Sequence, residues 1–190
     1  MAHGDKEVPP EGVAVVMNAR QISRALKRMA HEVLERHDGV EDLAVIGIRT
    51  RGWPLAERFA ALIEQAEGTR PPTGAVDVTF YRDDYRLRAK SPGDYSDLTF
   101  NVDDMHVLLV DDVLFTGRTV RAAIDALMDF GRPMTVQLAV LIDRDHRELP
   151  LNADYVGKVV RTDRSDTVRV RLKEIDGVDQ VVLIRTTERP

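Results

Sequence analysis

The sequence of 190 residues contains no cysteine, which excludes a disulfide framework and any thiolate metal site. Its five histidines are scattered and do not follow the spacing of a zinc site. No apolar run approaches the roughly 20 residues that a membrane-spanning helix needs, and the polar N-terminus lacks the apolar core of a signal peptide. We therefore expect a cytoplasmic protein that has no membrane partner.

Lysine is absent from a long internal stretch, because none lies between Lys90 and Lys158. The sequence has no Gly-Lys-Ser/Thr element and no Gly-x-Gly-x-x-Gly turn, so the P-loop and the dinucleotide-binding loop are excluded. The chain as a whole is acidic, with 27 basic and 32 acidic residues and a net charge of −5. Nucleic-acid binding would therefore depend on a local basic patch.

The sequence does contain enough apolar residues for one sizeable core, since 43% of its residues are hydrophobic. We predict a single domain over residues 1–190, with residues 1–10 disordered. Residues 82–98 are polar and without periodicity, and we predict that they form a mobile loop.

Aliphatic strands alternate with amphipathic helices along the chain. Ile22, Leu26, Met29 and Val33 recur at helical spacing after Asn18, a residue that can cap the helix. The predicted helices cover 18–37, a segment that starts at Pro54, and 119–130. The predicted strands cover 43–48, 75–81, 106–110, 135–142, 155–160, 168–172 and 181–184. This alternation predicts an α/β fold with a mainly parallel, twisted sheet and helices on both faces.

An acid pair and a small polar turn stand together in residues 107–123 (VLLVDDVLFTGRTVRAA). Asp111 and Asp112 follow a predicted strand, and the carboxyl ends of strands in open α/β sheets face the ligand-binding crevice. The turn at 116–119 (TGRT) opens the next helix, where free backbone N–H groups and the helix dipole favour a phosphate. Carboxylates accept hydrogen bonds from vicinal hydroxyls and can share Mg²⁺ with them, so the pattern predicts a sugar-phosphate site. By itself, the acid pair is also typical of a receiver-like strand end, where it is structural.

Residues 107–120 resemble the phosphoribosyl pyrophosphate (PRPP) motif of the type I phosphoribosyltransferases. Residues 47–52 (GIRTRG), 138–150 (LAVLIDRDHRELP) and 153–158 (ADYVGK) are similar to the PyrR family of bifunctional pyrimidine operon attenuators and uracil phosphoribosyltransferases. The resemblance implies a type I phosphoribosyltransferase fold with a small hood, and a homodimer or higher homo-oligomer. It also implies the reaction of uracil with PRPP to give UMP and pyrophosphate.

The resemblance implies a role for each matching residue. Asp111 and Asp112 are the implied catalytic acids and Mg²⁺ ligands, directly or through PRPP or water, and Arg51 holds the departing pyrophosphate. The implied substrate-binding residues comprise the pyrophosphate loop (Thr50, Arg51, Gly52), the base of the catalytic lid (Arg82), the PRPP loop (Asp111, Asp112, Val113, Leu114, Phe115, Thr116, Gly117, Arg118, Thr119) and two contacts to the base (Arg144, Val168).

Members of the family also bind a stem-loop in the leader of pyrimidine-gene mRNA, promoted by uridine nucleotides. The first predicted helix carries a basic face opposite its apolar stripe, although Glu35 interrupts it. Relatives usually have glycine where this sequence has Asp145, and the added carboxylate predicts weaker RNA binding. The implied RNA-binding residues are Arg24, Lys27, Arg28, His31, His146 and Arg147.

Two other functions stay open. The chain could be a nucleotide-sensing RNA-binding regulator with little catalysis, or a salvage phosphoribosyltransferase for another base without RNA binding. The intact acid pair and pyrophosphate loop favour an active enzyme. The hood sequence favours uracil over purines, by resemblance alone.

Overall fold

The computed structural model describes residues 12–37, 39–79 and 97–186. The strands in these ranges are β1 Val13–Asn18, β2 Leu43–Ile48, β3 Thr73–Val76, β4 His106–Leu114, β5 Thr135–Asp143, β6 Tyr155–Val159, β7 Thr167–Arg171 and β8 Gln180–Ile184. The helices are α1 Ala19–His37, α2 Gly52–Glu67, α3 Arg118–Met128 and the one-turn α4 Lys173–Asp176.

Five strands form a parallel sheet in the order β3-β2-β4-β5-β6. Successive residues of a strand point to opposite faces, so Leu108 and Val110 pack with α1 and α2, whereas Val107 and Leu109 pack with α3. Every residue of β2 is buried, as expected for a strand that is covered on both faces. The predicted α/β fold with helices on both faces is confirmed.

A second, antiparallel sheet has the order β1-β8-β7. We call these three strands together with α4 the hood. β1 lies outside every predicted element, although Val13, Val15 and Val16 are β-branched residues that favour a strand. Its partner β8 is at the other end of the chain, so the pairing depends on the tertiary fold.

Helix α1 begins as predicted. The backbone N–H of Gln21 donates to Asn18 Oδ1 at 3.0 Å, and the backbone N–H of Asn18 donates to Gln21 Oε1 at 2.9 Å. This reciprocal capping box satisfies two donors at the start of the helix. None of the described helices is long and apolar enough to cross a membrane.

Some boundaries differ from the prediction. β3 ends at Val76 because the Asp77 side chain accepts a hydrogen bond from the Thr79 N–H at 2.8 Å and forms a turn. β4 continues to Leu114, beyond the predicted end at Val110, because it still pairs with β5 after its pairing with β2 has stopped. α3 begins at Arg118 and ends at Met128, whereas the prediction was 119–130.

The predicted disordered segment, 1–10, lies outside the described residues. So do the predicted strand end at 80–81 and most of the predicted loop at 82–98. Of that loop, Asp97 and Leu98 are described, and Asp97 pairs with Ala75 in an isolated antiparallel bridge.

Candidate active site

Three segments meet at the carboxyl edge of the parallel sheet. β2, β4 and β5 are neighbours, and the chain leaves β2 for α2 on one face but leaves β4 for α3 on the other. The winding therefore reverses between β2 and β4, which is where open α/β sheets bind ligands. Apart from Arg82 and Val168, the predicted substrate-binding residues lie in the segments that leave these strands, at 49–52, 111–119 and 144–148.

Residues 49–52, which we call the β2 loop, lie directly against β4. A Cβ atom on Gly52 would lie 2.3 Å from the Val110 carbonyl oxygen and 3.4 Å from the Asp111 Cα atom. A Cβ atom on Gly47 would lie 2.5 Å from the Gly52 carbonyl oxygen, so both positions require glycine for close backbone approach. The Arg49–Thr50 peptide bond is cis. This packing places the β2 loop beside the acid pair.

The acid pair lies where β4 has lost β2 as a neighbour but keeps β5. Asp111 is buried, and its Oδ1 accepts a hydrogen bond from the Asp112 N–H at 2.9 Å. Burial, and then the neighbouring carboxylate of Asp112, raise the pKa of Asp111 well above its usual range. Burial also raises the pKa of Asp112, while the Asp111 carboxyl and the Arg51 guanidinium act in the opposite direction. Asp112 is therefore the member of the pair with a cation nearby.

Arg51 carries the positive charge of the β2 loop. Its Nη2 donates to the two carboxylate oxygens of Asp176 in the hood, at 3.0 and 3.3 Å. Its Nε is buried and has no hydrogen-bond partner among the described residues. Such a donor costs about 1–3 kcal/mol when it stays unpaired. An anionic ligand oxygen that accepted a hydrogen bond from Nε would remove that cost. An unpaired donor of this kind suits an arginine that binds pyrophosphate.

The start of α3 forms a cradle for an anion, which we define as residues 116–120. Gly117 precedes the helix with φ +89°, a left-handed conformation that favours glycine. The N-cap residue Gly117 has no side chain to cap this end of α3, and the Arg118 N–H makes only a long hydrogen bond of 3.4 Å to Thr116 Oγ1. The first backbone N–H groups of α3 can therefore bind a phosphate. Thr116 and Thr119 are half-buried beside them and can add hydroxyl donors. The Arg118 guanidinium instead points to Glu148, with Nε 3.0 Å from the carboxylate.

The remaining residues of the PRPP loop connect the acid pair to the cradle. Leu114 is buried, and its carbonyl oxygen accepts a hydrogen bond from the Arg144 N–H at 3.0 Å. Val113 and Phe115 are half-buried, and Val113 packs against the core on the side of α1 and α2. These three residues therefore hold the loop in place through packing and backbone contacts.

Arg144 is buried. Its guanidinium carbon lies 4.0 Å from the centre of the Phe115 ring, close enough for a cation–π contact. The guanidinium donates to three acceptors between β6 and β7: Thr162 Oγ1 at 3.0 Å, Asp163 O at 3.0 Å and Asp166 O at 2.9 Å. Arg144 thus links the PRPP loop to the segment that leads into the hood.

Val168 lies in β7 and is half-buried, and it packs against the same core as α1 and α2. Arg82, the predicted base of the lid, lies outside the described residues. The structure therefore brings together the β2 loop, the acid pair, the cradle and Arg144, and gives Val168 a packing role in the hood.

The predicted RNA-binding residues fall into two groups. Arg24, Lys27, Arg28 and His31 are exposed on α1. Arg28 also donates to the carbonyl oxygens of β6, at 2.7 and 3.0 Å, and pairs with a glutamate one turn along the helix. These contacts satisfy part of the free edge of β6, so Arg28 has a structural role in addition to its exposure.

His146 and Arg147 are turned towards the protein. His146 Nε2 lies 2.6 Å from the Thr162 carbonyl oxygen, and Arg147 forms a two-pronged ion pair with Asp143. Asp145, between Arg144 and these two residues, has φ +58°, which explains physically why glycine suits this position.

Two contributors to the site were missing from the predicted residues. Asp143 ends β5 and binds Arg147, and the signal that could have revealed it was an acid at the carboxyl end of a strand. Asp176 binds Arg51 from the hood, and no local sequence pattern connects these two residues.

The acid pair offers two carboxylates to a Mg²⁺ ion. Among the described residues, no group of three or more histidine, aspartate or glutamate side chains could enclose a metal ion. Mg²⁺ usually keeps several waters and binds one or two carboxylates together with substrate phosphates. Asp111 and Asp112 fit that mode of binding.

The sequence matches the family model described as "Phosphoribosyl transferase domain" over residues 14–174. It is 57% identical to the "Bifunctional protein PyrR" of Chloroflexus aurantiacus, over 90% of this chain and 94% of the relative. It is 54% identical to the protein of the same name from Clostridioides difficile, over 90% of this chain and 97% of the relative.

Solved structures support the fold independently of sequence. The hypoxanthine phosphoribosyltransferase of Trypanosoma cruzi superposes with a TM-score of 0.70 at 17% identity, covering 91% of this chain and 97% of that one. A hypoxanthine phosphoribosyltransferase from Staphylococcus aureus superposes with a TM-score of 0.66 at 19% identity, covering 90% of this chain and 92% of that one. The acid pair and the cradle occupy the carboxyl edge of this phosphoribosyltransferase fold, and more than half of the residues match PyrR relatives along nine tenths of the chain, so the chain belongs to the PyrR family.

Proposed function

We propose that the protein transfers the phosphoribosyl group of PRPP to uracil, giving UMP and pyrophosphate, and that it regulates pyrimidine genes by binding leader mRNA when UMP is present. The observation that carries the enzymatic proposal is the contact of the β2 loop with β4, which brings Arg51 near Asp112 of the acid pair. The relatives named above are bifunctional PyrR proteins, which supports both parts of the proposal.

The cradle would hold the 5′-phosphate of the ribose. Backbone N–H groups at the start of α3 donate to the phosphate, and the helix dipole adds to the attraction. Asp111 and Asp112 then lie beside the ribose, where carboxylate oxygens accept hydrogen bonds from its vicinal hydroxyls. The sugar is thereby oriented between the acid pair and the β2 loop.

The transfer breaks the bond between C1 of the ribose and pyrophosphate, and forms a bond from C1 to N1 of uracil, which loses its proton. Positive charge builds on the ribose ring as in other glycosyl transfers, and the acid pair stabilises it. Arg51 holds the departing pyrophosphate through the guanidinium edge that includes Nε. Bound Mg²⁺, held by Asp111 and Asp112 directly or through water and substrate oxygens, would neutralise pyrophosphate charge.

The base would lie near the segment that leaves β5. Arg144 is positioned there by the hood, and Val168 faces the core beneath the hood strand β7. Arg82, at the base of the predicted lid, would bind PRPP. These three assignments extend the proposal to the base and the lid.

The enzymatic proposal is tested by measuring PRPP-dependent nucleotide formation in the presence of Mg²⁺, with uracil compared with hypoxanthine, adenine and orotate. We expect UMP from uracil and little product from the other bases. Hypoxanthine as the preferred base would contradict the uracil assignment, and no product from any base would leave a regulator without catalysis.

The RNA proposal is supported by the exposed basic side chains of α1. Arg24, Arg28 and Lys158 line a surface depression of about 310 Å³ between α1 and β6, and Lys27 and His31 continue the basic face along the helix. Phosphate oxygens of RNA would be attracted to this surface although the chain as a whole is acidic. His146 and Arg147 would contribute by ordering the segment after β5.

The proposal places the protein in the cytoplasm, where PRPP, UMP and nascent mRNA are available, and as a homodimer or higher homo-oligomer.

A further inference from the structure

Arg51 has one described ionic partner, the hood residue Asp176. The two side chains are about equally sheltered, with 30% and 23% of their surfaces exposed. A partly buried arginine–carboxylate pair fixes the orientation of the guanidinium plane better than an exposed one does.

Asp176 is held in place independently of Arg51. Its Oδ2 accepts a hydrogen bond from the Leu172 N–H at 2.9 Å, and its own N–H donates to the Leu172 carbonyl oxygen at 2.6 Å. The backbone N–H of Leu172 is the donor chiefly responsible for lowering the pKa of Asp176, ahead of Arg51. The carboxylate is therefore an ionised, fixed point to which Arg51 attaches.

The pair engages Nη2 but leaves its neighbour on the same edge of the guanidinium, the buried Nε, without a partner within the described ranges. The β2 loop cannot shift towards β4, because Gly52 is already in close backbone contact with Val110. The orientation of Arg51 is thus set from the hood.

The hood does not need this pair to stay attached to α2. Arg58 of α2 binds Glu174 with Nε and Nη2 at 2.8 and 2.6 Å, and it binds Asp179 with Nη1 and Nη2 at 3.1 and 2.6 Å. One carboxylate lies within α4 and the other follows it and binds the Lys173 N–H, so together they attach α4 to α2. The Arg51–Asp176 pair is therefore not needed to hold α4 on α2, and its role can be to orient Arg51.

We propose that Asp176 is a positioning residue for Arg51: its carboxylate binds Nη2 and orients the guanidinium so that Nε can donate to the pyrophosphate group of PRPP. This rests on the proposed function, because it assumes that Arg51 binds pyrophosphate. UMP has no pyrophosphate group, so its binding does not depend on this orientation.

The test compares Asp176→Asn with Glu174→Gln. The asparagine keeps an acceptor for the Leu172 N–H but removes the charge from Arg51, whereas Glu174→Gln removes a charge from the same helix and leaves Arg51 untouched. Steady-state kinetics in Mg²⁺ give kcat and KM for PRPP, inhibition kinetics give the affinity for pyrophosphate, and calorimetry gives the affinity for UMP.

We expect Asp176→Asn to raise KM for PRPP and weaken pyrophosphate inhibition by roughly three- to tenfold, the effect of losing one charged contact. UMP affinity should stay within twofold of the wild type, and Glu174→Gln should leave all three quantities near wild-type values. Asp176→Glu, which restores a carboxylate, should recover part of the PRPP affinity.

Equal effects of Asp176→Asn and Glu174→Gln would mean that the pair only steadies α4, which overturns the proposal. A lower KM for PRPP in Asp176→Asn would also overturn it, because the carboxylate would then compete with pyrophosphate for Arg51. A wild-type protein that forms no UMP contradicts the proposed function itself, whereas an active wild type with unchanged Asp176→Asn contradicts only the role of Asp176.

Discussion

At the scale of single residues, Asp111 combines a catalytic assignment with a cost in stability. Its carboxyl is buried, with one described hydrogen bond from the Asp112 N–H, and burial raises its pKa. Folding therefore favours the protonated acid. Ionisation destabilises the folded protein once the pH exceeds the pKa of an unfolded aspartate, and the penalty is complete above the raised folded pKa.

Asp111→Asn should make the protein more stable and less active. Asparagine keeps an acceptor for the Asp112 N–H and removes the buried charge, so we expect the melting temperature to rise at pH 8 by at least about 2 °C. At a pH below the pKa of an unfolded aspartate, about 3.9, residue 111 of the wild type is protonated in both the folded and the unfolded protein. The difference in melting temperature between wild type and Asp111→Asn should then vanish. Turnover of uracil should fall at least about tenfold, because negative charge is lost beside the developing cation.

Asp166→Asn is the matched control for stability. Asp166 is also a buried carboxylate, but its two oxygens accept hydrogen bonds from the Asp163 N–H at 2.9 Å and the Thr186 N–H at 3.4 Å. An amide can replace only one of these acceptors, so this variant should melt at a lower temperature. Thermal unfolding across the pH range measures both variants. A loss of stability in Asp111→Asn at pH 8 would contradict the account of the buried acid.

At the scale of secondary-structure elements, the site depends on the contact between the β2 loop and β4. Parallel pairing aligns Gly47 of β2 with Val110 of β4, so the two strands lose their pairing at the same level. The chain then turns sharply enough for Gly52 to lie on the backbone of Val110. Two elements from different parts of the sequence thereby place Arg51 beside Asp112.

Gly52→Ala should separate these two elements. The new methyl group would lie 2.3 Å from the Val110 carbonyl oxygen, so the β2 loop must move away from β4. Overpacking of this kind costs about 1–3 kcal/mol. We expect a lower free energy of unfolding, measured by denaturant titration, and a higher KM for PRPP.

UMP provides the internal control for Gly52→Ala, because the proposed function places its phosphate on the cradle at α3 and it has no pyrophosphate group to bind the β2 loop. Its affinity, measured by calorimetry, should change less than the KM for PRPP. If affinity for UMP and KM for PRPP changed to the same extent, the substitution would have disturbed the whole sheet edge and not the loop alone.

At the scale of the whole molecule, an acidic chain presents a basic surface on one helix. The net charge is −5, yet Arg24 and Lys27 are exposed on α1 beside Arg28 and Lys158. Arg28 and Lys158 are partly committed to the protein, since Arg28 binds the carbonyl oxygens of β6 and Lys158 Nζ donates to the Val16 carbonyl oxygen at 3.0 Å. Arg24 and Lys27 are thus the cleaner residues with which to test RNA binding.

Replacing Arg24 and Lys27 by alanine should weaken binding to a pyrimidine-gene leader RNA. The slope of log affinity against log salt should become shallower by roughly one unit for each lost phosphate contact. Uracil transfer should continue at the wild-type rate, because α1 supplies none of the site residues. Arg132→Ala, which removes an exposed charge from the turn before β5, is the control and should leave RNA affinity unchanged. RNA binding that is unaltered in the double variant, at several salt concentrations with and without UMP, would place the RNA surface elsewhere.

The sequence by itself determined the parts of this protein that depend on neighbouring residues. Residues 107–120 carry a strand, an acid pair and a helix start in immediate succession, so the acids and the cradle are brought together by local geometry. Asn18 and Gln21 cap α1 because they lie three positions apart. The alternation of strands and helices predicted the fold class, and the similarity of several short stretches predicted the PyrR family; both are confirmed.

The tertiary structure decided the contacts between distant parts of the chain. β1 pairs with β8 from opposite ends of the sequence, and Arg51 meets Asp176 through the packing of the hood. Arg144 turned inward to the hood segment instead of outward to solvent. Local sequence could not predict these outcomes, because hydrogen bonds and ion pairs between remote residues form only after the burial of apolar faces has fixed which elements are neighbours.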